Sequence, residues 1–229
     1  MANHLAIKLE RGRGGKNPML KKFSFCLVTI WLAAFTQSVE ANTCSDQTVR
    51  IESTADVSAF AARSCTVLTG QLIITGLSES VSLSPLSGLE EIGGGLYIYN
   101  NTGGPTSLAG FDDLRSVGGL VNLSNNSSLT DISALSNLVS VGGNLYISRN
   151  PNLAVIDGLG AVAQIDGTFT VEGPVEQITP MPSLTYVEYG IKIEDTKLIN
   201  LDWLVGVTKI NNNLNIRNNS NLREHLGPD

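Results

Sequence analysis

One short pattern recurs along most of this chain and restricts its fold more than any other feature. An apolar-x-apolar pair, preceded by a turn-forming residue, occurs at Leu72/Ile74, Leu96/Ile98, Val121/Leu123, Leu145/Ile147, Phe169/Val171, Ile191/Ile193 and Leu214/Ile216. The intervals between successive pairs are 24, 25, 24, 24, 22 and 23 residues. A period of this length, held over seven registers, is the mark of a solenoid, where each turn of chain buries its apolar side only by stacking on the next. A second apolar pair precedes each turn, at Leu89/Ile92, Leu114/Val117, Leu138/Val141, Val162/Ile165, Leu184/Val187 and Val207/Ile210. A third series, including Leu129/Ile132, Leu153/Ile156 and Val175/Ile178, falls between them. The pattern predicts a coil of one strand and two short apolar segments separated by turns, with strand residues pointing alternately in and out.

Two columns mark the corners. Gly70, Gly94, Gly119, Gly143 and Gly167 each lie two residues before the first inward position, with Asn212 in that place in the last coil. They are read as corners that need φ > 0. Asn101, Asn126, Asn150 and Asn219 each follow the second inward position by three residues and predict a stacked asparagine ladder bonded to backbone. The run Leu145-x-Ile147-x-x-Asn150-x-x-Leu153 also fits a leucine-rich repeat, but Gly, Pro and short β-type pairs such as Ile156-Asp157-Gly158-Leu159 leave little room for a helix in the rest of the coil. The expected class is all-β: a single-stranded right-handed β-helix of about seven coils of 22–25 residues over residues 66–222, with a short N-terminal capping helix.

The ends read differently. A basic Met19-Leu20-Lys21-Lys22, an apolar run from Phe23 to Phe35 and small residues at Val39 and Ala41 describe a secretory signal peptide over residues 1–41, with Met19 an alternative start. The apolar run is shorter than a membrane-spanning helix needs, so no membrane insertion is expected of the mature chain. Removing residues 1–41 takes six of the 15 basic and two of the 21 acidic residues, leaving 188 residues with a formal charge of −10. Such acidity without a basic cluster argues against nucleic acid as a partner. Cys44 and Cys65 are then the remaining cysteines, and an even pair in an exported chain reads as a disulfide closing a 42–65 cap. Within it, residues 54–63 predict a helix with Ser53 or Thr54 as N-cap and Val57, Phe60 and Ala61 on one face. After Leu222 a tail over 223–229 shows no capping element, so the last coil is a candidate contact surface.

Chemistry-bearing residues are few. The outward positions of the main strand form two columns, one with Tyr97, Asn122 and Tyr146, the other with Tyr99, Glu172 and Glu194. Stacking places Glu172 beside Glu194; a close carboxylate pair can serve as acid and nucleophile on a glycoside, or form a plain surface ladder with Lys192 and Arg217. His225 is the one histidine after the leader, so no Ser/His/Asp set is available, and no phosphate loop or clustered metal ligands occur. No catalytic residue, metal or cofactor is therefore expected. Tyr97, Tyr99 and Tyr146 around Asn122 combine apolar area with hydroxyls on a rigid face, which suits recognition of a protein or glycan. Asn100, Asn122, Asn125, Asn126 and Asn218 each begin Asn-x-Ser/Thr, a triplet that Asn-rich corners generate freely.

The stretches Cys65-Thr-Val-Leu-Thr-Gly70-Gln-Leu72-Ile-Ile74, Leu89-Glu-Glu-Ile92-Gly-Gly-Gly-Leu96-Tyr-Ile98 and Leu138-Val-Ser-Val141-Gly-Gly-Asn-Leu145-Tyr-Ile147 resemble the receptor L domain over about residues 44–222. That domain occurs in the ligand-binding ectodomains of insulin and EGF receptors, and similar coils occur in fungal sporulation-specific cell-wall proteins and microbial surface proteins. The resemblance implies a leucine-rich-repeat-like β-helix in a secreted, cell-surface or periplasmic setting, acting as a non-catalytic recognition module. A structural spacer of the envelope and a carbohydrate-active β-helix are the alternatives.

Overall fold

The structure, a computed structural model, describes residues 41–223. Apart from Ala41 and Arg223, the leader expected over 1–41 and the tail expected over 223–229 lie outside the described residues. The seven registers become strands of one parallel sheet, stacked in chain order: Gln71–Thr75, Leu96–Asn101, Val121–Asn126, Leu145–Ser148, Thr168–Glu172, Gly190–Glu194 and Asn213–Arg217. Equivalent positions fall in register, Leu72 on Leu96, Leu96 on Val121, Val121 on Leu145 and Leu145 on Phe169. An eighth strand, Thr48–Ile51, pairs with Gln71–Thr75 and extends the sheet into the segment read as a cap.

A second parallel sheet is built from eight two-residue strands, from Thr43–Cys44 through Ser140–Val141 to Lys209–Ile210. Its inward residues include Ile92, Val117, Val141 and Ile165, all essentially inaccessible. The third side of the coil is irregular. It holds the strand pair Val155–Ile156 and Gln177–Ile178, and 3-10 turns at Ser84–Leu86, Ser133–Asn137 and Asp202–Gly206. Ser, Pro and Asn in these segments favour turns over longer helix. Parallel sheets wrapped around one continuous core of Leu, Ile and Val make a solenoid-like fold.

The corner glycines need correction. Gly70, Gly94, Gly119, Gly143 and Gly167 do not have positive φ, and neither does Asn212. They are small because successive coils touch there. A Cβ on Gly70 would lie 2.1 Å from the Asp46 carbonyl oxygen, and one on Gly167 would lie 2.4 Å from Asn144 Oδ1. The left-handed corner comes at or just after the end of the strand instead. Gly76, Asn100, Asn125, Arg149, Gly173, Asp195 and Asn218 occupy it in successive coils, with φ of 71°, 55°, 56°, 53°, 119°, 54° and 56°. Gly, Asn and Asp are the residues most tolerant of that conformation, and Arg149 is the exception.

The adjacent residue begins the asparagine ladder. Asn101, Asn126 and Asn150 are buried, and their Nδ2 groups donate to the carbonyls of Ile74 (3.2 Å), Ile98 (2.9 Å) and Leu123 (2.9 Å). Asn101 Nδ2 also donates to Asn126 Oδ1 at 2.8 Å, and Asn126 Nδ2 to Asn150 Oδ1 at 3.2 Å. The column then breaks at Pro174 and resumes with Asn219, whose Nδ2 donates to the Ile193 carbonyl at 3.0 Å while its Oδ1 accepts from Thr196 Oγ1 at 2.7 Å. Each amide satisfies backbone groups that the corner withdraws from the sheet.

At the N-terminal end the helix Thr54–Ala61 starts at Ser53, whose Oγ accepts from Asp56 N at 3.2 Å, and buries Val57 and Phe60. Cys44 and Cys65 are disulfide-bonded, with Cα atoms 5.8 Å apart. The opposite end is more open. Leu214 is 50% exposed, whereas its counterparts Leu72, Leu96 and Leu145 are fully buried.

Candidate functional site

Strand alternation sends Tyr97, Asn122 and Tyr146 outward from three successive strands, and the register brings them side by side. Tyr99 stands in the neighbouring column between Thr75 and Ser124, with Ser148 next after Ser124. The three tyrosines and Asn122 are half-buried, so the residues singled out in the sequence form one patch.

Local contacts fix the rings. The space left by the missing side chain of Gly95 is taken by Tyr97: a Cβ there would lie 2.6 Å from Tyr97 Cε2. The Tyr146 hydroxyl accepts a hydrogen bond from Asn144 Nδ2 at 2.8 Å, while Asn144 Oδ1 accepts from the Thr168 backbone N–H at 2.7 Å. The side-chain oxygen of Asn122, between the two rings, is buried and has no hydrogen-bond partner. Of the other outward residues, Ile73 and Thr170 are buried at 8% and 5% exposure, which alternation alone does not anticipate.

The carboxylate pair is also in register, Glu172 beside Glu194, and each has a cation of its own. Arg149 Nε lies 3.1 Å from Glu172 Oε1, and Lys192 Nζ lies 2.8 Å from Glu194 Oε2. With each carboxylate ion-paired to its own neighbouring cation, the arrangement has the form of a surface charge ladder. Among the described residues no group of His, Cys, Asp and Glu is placed to hold a metal ion, and no helix is long and apolar enough to cross a membrane.

A cavity of about 350 Å³ lies away from this patch, on the irregular side of the coil, lined by Glu176, Ile178, Leu198, Asn200, Asp202 and Trp203. Trp203 packs edge-on against Phe169 with ring centres 5.5 Å apart, and its indole N–H is buried without an acceptor. The sequence reading missed this site because it depends on where the strand Gln177–Ile178 ends without a further neighbour, and no periodic signal marks that point.

The broad face of this solenoid of parallel sheets thus carries a patch of half-buried tyrosines. The receptor L domain family model matches residues 64–157, a stretch that spans the Tyr97, Asn122 and Tyr146 strands. Receptor L domains are extracellular, non-enzymatic ligand-binding modules. Comparison with curated proteins and with solved structures returned no match.

Proposed function

We propose that the protein is a secreted or cell-surface recognition module without catalytic activity, and that it binds a protein or glycan ligand on the outward face of the long-strand sheet. The observation that carries this reading is the registered patch of Tyr97, Asn122 and Tyr146, flanked by Tyr99. Rings held by Gly95 and Asn144 lose little further freedom on binding, so their contact area converts efficiently into affinity. The disulfide Cys44–Cys65 supports an oxidising compartment. The match of residues 64–157 to a family of ligand-binding modules supports recognition over the spacer and enzyme alternatives.

The test is binding of the labelled full chain to arrays of extracellular proteins and of glycans. Tyr97→Ala combined with Tyr146→Ala lowers the strongest specific signal by roughly tenfold or more while leaving the thermal midpoint in place. A signal that survives both substitutions sinks this face as the site.

A further inference from the structure

Charge is distributed unevenly over the long-strand sheet. The four strands Gln71–Thr75, Leu96–Asn101, Val121–Asn126 and Leu145–Ser148 contain no charged residue. Their outward positions offer tyrosine rings, hydroxyls at Thr75, Ser124 and Ser148, and the Asn122 carboxamide. On one side the uncharged field ends at Arg50, paired with Glu52 at 3.2 Å. On the other it ends at the Arg149–Glu172 and Lys192–Glu194 pairs. None of the exposed large hydrophobic residues, Val139, Val155, Tyr189, Ile199, Val205 and Leu214, lies on these four strands.

From this composition we infer that the ligand of the tyrosine face is an uncharged oligosaccharide running across the strands, an inference that rests on the recognition reading above. A protein partner would bring apolar anchors and charges, and this surface offers it neither an apolar pocket nor a free ion to pair with. A neutral sugar presents an apolar ring face for tyrosine and hydroxyls that both donate and accept. Such hydroxyls suit a field of side-chain hydroxyl and amide groups at Thr75, Ser124, Ser148 and Asn122. Strands of one sheet are spaced about 4.8 Å apart, so Tyr97 and Tyr146, two strands apart, are separated by roughly 10 Å, the reach of two to three pyranose units. The tyrosines thus mark two stacking subsites with Asn122 between them.

The experiment titrates the full chain against immobilised hexamers of β-1,4-glucan, β-1,3-glucan, chitin and mannan, with oligogalacturonate of the same length as the acidic counterpart. At least one neutral hexamer binds saturably and more tightly than oligogalacturonate, with an affinity that changes less than about twofold between low and high salt. Tyr97→Ala and Tyr146→Ala each weaken it roughly tenfold, whereas Tyr97→Phe and Tyr146→Phe retain most of it because the rings remain. Failure of every neutral hexamer to bind, or preference for the acidic one, overturns the inference. If an extracellular protein binds instead and is lost with the alanine variants, the face stands and the sugar falls. If a neutral hexamer binds and both alanine variants keep its affinity, the face itself is wrong.

Discussion

At the scale of single residues, the corners test which physical constraint governs each column. Gly70→Ala forces a methyl group to within 2.1 Å of the Asp46 carbonyl, so backbone must move, and a loss of about 3 kcal/mol or more is expected in urea denaturation. Gly76→Asn puts a tolerant residue at φ 71° with no atom within 4 Å of its Cβ, and stability should change by less than about 1 kcal/mol. Were φ the constraint at Gly70, as the sequence alone suggested, Gly70→Asn would be as mild as Gly76→Asn; contact with the previous coil makes it severe. In the ladder, Asn126→Ala strips the Ile98 carbonyl of its donor and Asn101 of one acceptor, at a cost of about 2–3 kcal/mol by the same measurement. Both columns were visible as spacing. The ladder's bonding to backbone was read along with its spacing, but the cause of the glycine column was not, because spacing shows that a residue type is required and not whether backbone angle or a neighbouring coil requires it.

Among the elements, the N-terminal segment depends most on charge. Asp56 has its carboxyl held below the usual carboxylate range by hydrogen bonds from Ser53 Oγ (2.7 Å) and from the Glu52 backbone N–H (3.0 Å). Asp46 is lowered likewise, first by its hydrogen bond from Arg63. A carboxyl depressed in the folded state adds stability that is full above its unfolded value, about 3.9, and fades as pH falls through its folded value. Amide exchange near Thr54–Ala61 should therefore quicken in strong acid ahead of the mid-solenoid strands, and Asp56→Asn should flatten that dependence. Reduction of Cys44–Cys65, which closes a loop spanning 21 positions, should loosen the same region first; uniform loosening along the chain would contradict a local role for the bond. The sequence predicted this helix, with Ser53 or Thr54 as its cap, but not the strand Thr48–Ile51 beside it. That strand sits one period ahead of Leu72 with Val49 and Ile51 inward, yet no corner glycine introduces it, and the cysteine reading had already claimed the segment.

Over the whole molecule, stability is set by nearest neighbours along the stack. Leu145→Asn, fully buried and flanked by strands on both sides, should cost about 3–5 kcal/mol, while the equivalent change at half-exposed Leu214 should cost less than about 1 kcal/mol. Equal losses in thermal or urea unfolding would show that the terminal coil is as tightly built as the middle. The periodicity also explains why the tyrosine patch was legible: residues about 24 apart become neighbours, so a column can be read directly from the chain. Burial of Ile73 and Thr170 and the Trp203 cavity were not legible, since they arise from side-chain reach and from where a short strand stops. Regular pairing has a further outcome for anyone wishing to rebuild this protein. Cutting out residues 121–144 removes one complete turn and joins two segments with matching registers, so Leu96 should seat on Leu145 and Asn101 on Asn150. Tyr97 and Tyr146 would then become direct neighbours, so the distance between the rings can be changed by whole coils, as beads are taken from a string.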